Sequence, residues 1–509
     1  MIRFSAVLLR SDIVKAALAA SLLAVTTLHA PDAKAQAAED APLRVGKTFI
    51  AAATDPAQGS AGWALVSHGI ADQLFRVDRD GRLVGNLATD ATRIDDLTWQ
   101  VTLAPDRLFS DGSPVTAQAV ADSLNRTVAE NPAARASAGA LTFEAQSESL
   151  LTITSERPTP VMPSILAEWA FPVYLYAGGD LHFTGPFMIA DFTPGARLDL
   201  KPNPHYPQAD SRNPVQITRV ADGQALALAL RAGEIDLAFH LPVESRAMLQ
   251  ASGDIAVTSF PVEYQYMMWM NTASDALGDA RVRRAIDLAI DREALIAAAR
   301  AGRVAHGAFS QVFPFSADEP ARHDAQAAAA LLDEAGWIRD GDGPRMRDGE
   351  TLSLTLVAYP QRPDLVTYQP VIRAALADLG IEVTTRITES PTDMARAGEF
   401  DLFLWAQHTA PAGDPGFFLL LFLGSEGANN YSGWSSAAFD ALLADLAQTS
   451  DPQARNLIAR EAQALIAEEA PVAFLVTPEW HVGKSARLAE YEPWGSDYYV
   501  IRSDFGLRE

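Results

Sequence analysis

Short stretches of alternating apolar and polar residues, interleaved with stretches of helical spacing, run along most of the chain. Residues 97–103 alternate as a strand. Residues 116–129 space their apolar positions for a helix, with Thr116 placed to accept from the first free amides. Residues 280–301 set Val282, Ala285, Ile286, Ala289, Ile290 and Ile296 on one face, which predicts a single amphipathic helix. Residues 325–335 predict a helix stopped by Gly336, 352–358 a strand, 368–379 a helix ended by Gly380, and 381–385 another strand. Residues 399–405 read as a buried strand whose carboxyl end is Trp405, the end at which open α/β sheets place ligands. Two helices over 436–469 and a strand over 472–476 close the series. This alternation predicts an α/β fold, and the absence of a Pro/Ser/Gly linker, charge block or internal repeat predicts interleaved domains.

The amino terminus changes the picture. Arg3, Arg10 and Lys15 precede an apolar run over 16–30, and small residues recur at Ala33, Ala35 and Ala37, so residues 1–37 read as an export signal. The rival reading is an N-terminal membrane anchor. No later stretch approaches the roughly 20 apolar residues of a membrane span; the nearest is 417–423. With no cysteine in 509 residues, lipid acylation, disulfides and thiolate metal sites are excluded together. The formal charge of −24 becomes about −26 once the signal is removed, a surface that repels nucleic acid and anionic lipid. A hydrophobic content of 48% with nine Trp and 22 Phe predicts a folded globular chain.

Catalytic signatures are missing. None of the nine His has another His three to five residues away, so no zinc-hydrolase spacing is legible, and no metal site is expected. There is no Gly-rich phosphate loop, no Gly-x-Gly-x-x-Gly turn and no Gly-x-Ser-x-Gly elbow. A glycosidase-like carboxylate pair could hide among 64 acidic residues without leaving a readable trace. The expectation is a binding protein without cofactor, not an enzyme.

Several segments, in order, carry a resemblance: Leu83-Val84-Gly85-Asn86-Leu87-Ala88; the alternating run 97–103; Phe109-Ser110-Asp111-Gly112 leading to the Thr116-capped helix; Thr184-Gly185-Pro186-Phe187; Asn203-Pro204-His205-Tyr206; Ala232-Gly233-Glu234-Ile235-Asp236; 279–293; Leu331 to Trp337; and Asn430-Tyr431-Ser432-Gly433-Trp434. Together they resemble bacterial extracellular solute-binding proteins of family 5, which serve peptide, nickel and opine ABC importers. The resemblance implies a two-lobed periplasmic binding protein fold, type II in its large form with an extra subdomain, closing at a hinge around its ligand. It implies lobe I over 38–275 with a small subdomain inserted at about 75–175, lobe II over 276–470, and a return to lobe I over 471–509. It also implies a periplasmic monomer that delivers a small peptide-like, opine-like or metal-chelate ligand to permease subunits in the inner membrane, without contact to nucleic acid. A sensory, chaperone or hydrolase role on the same fold is the alternative.

For the ligand, relatives that hold peptides place an Asp three residues before the Asp-Pro pair to meet the peptide's ammonium, and here that position, before Asp414-Pro415, is Pro411. Nickel-type relatives grip an anionic chelate with arginines, and Phe171 stands where one would sit, while Arg135 lies near the other basic position. Candidate ligand contacts are therefore Trp405, Tyr431 and Trp434 as aromatic walls, His408 as metal ligand or carboxylate partner, Trp63 in the early loop, and Arg135.

Overall fold

The computed structural model describes residues 41–508 except 136–138, 221 and 361; the expected signal segment 1–37 lies outside the described residues. Two large sheets carry the fold. The first has seven strands in the order Phe187–Thr193, Arg197–Pro202, Val215–Arg219, Leu43–Lys47, Leu237–Phe239, Glu479–Ser485 and Ile255–Pro261. Its centre is parallel: Leu43–Lys47 pairs with Val215–Arg219 on one side and Leu237–Phe239 on the other. The second has six strands in the order Arg303–Val304, Val472–Thr477, Tyr264–Met270, Leu402–His408, Ser353–Ala358 and Glu382–Ile387. Each sheet has its own apolar core, and a third core, between Leu74 and Val173, belongs to a four-stranded antiparallel sheet packed on the helix Ala117–Glu130. Separate cores let each body move as a unit. The architecture is the expected mixed α/β, two-lobed fold with an added subdomain.

The chain passes between the large sheets twice. Ile255–Pro261 in the first continues through Val262 and Glu263 into Tyr264–Met270 in the second, and Val472–Thr477 returns through Pro478 into Glu479–Ser485. The crossings lie side by side, Val262 N donating to Pro478 O at 3.1 Å. Both are therefore displaced by about one strand from the boundaries expected near 276 and 471, because Tyr264–Met270 and Val472–Thr477 find their hydrogen-bonding partners in the second sheet.

Local signals mostly hold. Thr116 Oγ1 accepts from Ala119 N at 3.2 Å, starting the helix where the sequence places it. The expected single helix over 280–301 is two, Ala280–Ala289 and Arg292–Ala299, because Ile290 is extended and Asp291 caps the second by accepting from Glu293 N and Ala294 N. The expected helix at 368 starts earlier, at Pro363, whose fixed φ and missing donor suit the first turn. The strand expected to end at Trp405 runs to His408, and this extension has consequences for the site.

Candidate ligand-binding site

Strand ends build the site. The first lobe's Leu43–Lys47 terminates in Lys47, and the neighbouring parallel strand Leu237–Phe239 delivers His240, held at a φ of 70°. A left-handed backbone is uncommon at a non-glycine residue, histidine being among those that adopt it more readily. Across the hinge, Leu402–His408 lies antiparallel to Tyr264–Met270, with His408 opposite Tyr264 at the first crossing. These ends open onto one cavity of about 590 Å³, walled by Lys47, Phe49, Trp63, Trp169, His240, Tyr264, Arg362, His408, Trp480, Asp497 and Tyr498. It lies outside the carboxyl ends of the first lobe's parallel strands, as open α/β sheets predict.

Lys47 is only 1% exposed. Its Nζ donates to Ser67 Oγ at 3.2 Å and sits 5.2 Å from the Trp63 ring centre. Burial pulls its ammonium down to about 8, with Asp497 opposing. Asp497 accepts from Ser67 Oγ through its backbone carbonyl, while its own Oδ1 is buried without a hydrogen-bond partner. Burial also pulls His240 down to about 4, which keeps it neutral at pH 7. At the crossing, Glu263 is 5% exposed, accepts from Ser496 Oγ at 2.9 Å, and lies 3.1 Å from His408 Nδ1. Burial pushes its carboxyl up, opposed chiefly by the neighbouring His408 side chain. Tyr264 packs on the other side of His408, ring centres 3.7 Å apart.

Of the residues singled out by sequence, Trp63 and His408 line this cavity together. The other four do not. Trp405 pairs with Met267 in the middle of the second sheet and is 8% exposed, its ring among Tyr359, Phe403 and Tyr431. The physical reason is the strand's extension: three further residues carry the chain past Trp405, so His408 takes the position at the hinge. Tyr431 and Trp434 belong to the second lobe's core, against Trp269 and Phe439 respectively. Arg135 donates to Val128 O at 2.8 Å and to Ala129 O, closing the carboxyl end of the subdomain helix. Arg135→Ala is expected to cost the subdomain about 1 kcal/mol and leave ligand affinity unchanged; urea unfolding with a parallel binding titration checks both. Phe171 is fully buried in the subdomain core.

Sequence reasoning missed Lys47, His240, Tyr264, Arg362, Trp480 and Asp497. One signal was present: a lysine closing the apolar strand Leu43–Lys47 at its carboxyl end. Among the described residues, no group of three or more His, Cys, Asp or Glu could hold a metal ion, and no helix is long and apolar enough to cross a membrane.

Comparison with known proteins agrees with this architecture. The chain is 25% identical over 438 residues to a probable D,D-dipeptide-binding periplasmic protein of Escherichia coli K12, covering 79% of this chain and 81% of that one. It is 27% identical over 473 residues to a glutathione-binding protein of Salmonella typhi, covering 86% and 88%. Its structure matches that of a nickel ABC transporter protein from Bacillus halodurans with a TM-score of 0.82 and 27% identity, over 91% of this chain and 99% of the other. The model of "Bacterial extracellular solute-binding proteins, family 5 Middle" matches residues 82–430. With its two lobes, double crossing and hinge cavity, the chain belongs to the bacterial extracellular solute-binding proteins of family 5 and is a substrate-binding protein of the ABC-importer type.

Proposed function

We propose that this protein, exported to the periplasm by its N-terminal signal, captures a small peptide-like or amino-acid-derived ligand by a carboxylate and hands it as a monomer to an inner-membrane permease. The observation that carries the reading is Lys47, a buried ammonium that opens onto the hinge cavity and whose only hydrogen-bond partner among the described residues is a neutral hydroxyl. A buried ammonium with no direct ion pair is expensive, Asp497 acting on it only at longer range, and a ligand carboxylate would supply the missing contact. Aromatic faces from Trp63, Trp169 and Trp480 offer apolar contact to the ligand's body. A carboxylate-rich metal chelate fits the same cation, a second reading favoured by the likeness to the nickel transporter protein.

Mass spectrometry of ligand released from protein purified from its own periplasm, with metal analysis of the same sample, tests this. A stoichiometric carboxylate-bearing compound is the expected result; stoichiometric nickel would select the chelate reading, and a ligand with no acid would overturn both. The pH profile gives an independent check. Because the free protein's Lys47 loses its proton near pH 8, Kd measured by calorimetry is expected to be flat from pH 6 to 7 and to rise toward tenfold per pH unit above 8, with proton uptake on binding.

A further inference from the structure

Lys47 and Arg362 face the cavity from opposite lobes. Lys47 ends a strand of the first, and Arg362 stands at the amino terminus of the second lobe's helix Pro363–Asp378. Arg362 donates to Tyr264 OH at 3.2 Å and lies over that ring, so its described hydrogen-bond partner, like that of Lys47, is a neutral hydroxyl. Neither forms an ion pair with a carboxylate among the described residues. Of the other titratable groups on the wall, His408 is matched by Glu263, and His240 is neutral at pH 7. That leaves Asp497, whose Oδ1 is buried and unpartnered. The wall thus offers two cations on opposing lobes and one anion beside the first.

Electrostatic complementarity asks for the inverse pattern in what binds. Resting on the reading of this cavity as a carboxylate site, we infer that it selects a ligand with two acidic groups and one amine, as in a free acidic dipeptide, over ligands with a single acid. One acid meets Lys47, the amine meets Asp497, and the second acid reaches Arg362. A ligand held this way bridges the lobes, so the second acid ties capture to closure. A ligand with one acid would bind to the first lobe without reaching Arg362, and so would make no charge contact across the lobes that favours the closed form.

The test is calorimetric titration at pH 7 with probes matched in size: Ala-Glu, its neutral isostere Ala-Gln, N-acetyl-Ala-Glu, Ala-Glu α-amide, and glutathione as a larger carrier of two carboxylates and one amine. Ala-Glu or glutathione is expected to bind; Ala-Gln and the acetylated and amidated forms are each expected to bind at least about 10-fold more weakly. In Arg362→Met the preference for Ala-Glu over Ala-Gln should vanish, and in Asp497→Asn the penalty for N-acetylation should shrink, with Tm and far-UV dichroism reporting that each variant is folded. Equal affinity for Ala-Glu and Ala-Gln, both weakened by loss of the α-carboxylate, would overturn this inference and leave the carboxylate reading standing. Failure of every carboxylate probe to bind would overturn the two together.

Discussion

Replacing Lys47 by methionine is expected to weaken capture of the proposed carboxylate ligand by about 100-fold or more while leaving the apo protein at least as heat-stable. The two effects have one cause. Burial moves the ammonium from 10.5 to about 8, and at ~1.4 kcal/mol per unit this charge costs the folded state on the order of 3 kcal/mol at pH 7. The sign follows from proton binding: between pH 8 and 10.5 the unfolded chain holds more protons than the folded one, so stability rises with pH in that window. Below about pH 8 the full cost is present. Methionine fills similar space without the charge, so the cost disappears together with the ligand's partner; the contact with Trp63 and the hydrogen bond to Ser67 are lost as well and offset part of the gain. Differential scanning calorimetry of the apo protein and a ligand titration are the measurements. A steep fall in Tm with unchanged affinity would make Lys47 a structural post and remove it from the site.

Arg455→Met is expected to do the opposite: to destabilise by about 3–5 kcal/mol and leave the affinity of the folded protein within a few fold of wild type. Arg455 is buried on the helix Pro452–Glu469 and grips Asp414 with two bonds, Nε to Oδ2 and Nη2 to Oδ1, both 2.8 Å, while Nη1 donates to Leu446 O and Thr449 O. Asp414 Oδ1 also accepts from Gly416 N at 2.7 Å, so this carboxylate organises the turn that follows the hinge strand. Truncating the arginine leaves a buried carboxylate without its counter-charge and strips two carbonyls of their donor. Urea unfolding reads the loss, and Asp414→Asn combined with Arg455→Met should recover part of it, because the pair is coupled. Full additivity of the two substitutions would show that the buried pair is not what holds this turn.

Asp414 and Trp405 mark how far the sequence reaches. The Asp-Pro pair after a Trp-bearing strand was legible as a motif, as were the Thr116 cap, the alternation at Thr98–Leu103, the helix Ala325–Glu334 and the α/β grammar of the second lobe. Each depends on neighbours within a few residues, where periodicity and capping act. Where a strand ends is a different matter. Leu402–His408 continues past Trp405 because Tyr264–Met270 offers hydrogen-bond partners as far as Tyr264, a pairing across more than a hundred residues that no local pattern encodes. One consequence is that Trp405, placed at the assumed strand end, lies in the core, while His408, three residues further on, lines the cavity.

The amino-acid sequence by itself determined the class of this protein: an acidic cysteine-free chain, an α/β alternation without catalytic motifs, and an ordered set of segments resembling family 5. Only the tertiary structure decided the site. Lys47, His240, Arg362 and Asp497 each lie more than a hundred residues from the next and carry no shared motif; they face one cavity because parallel strands of one sheet end on the same side and two hinge crossings bring the other lobe's helix start opposite them. A buried lysine without a direct ion pair is read in the sequence as one more lysine, since what makes it distinctive, its burial with a hydroxyl as its hydrogen-bond partner, is a property of the packed fold.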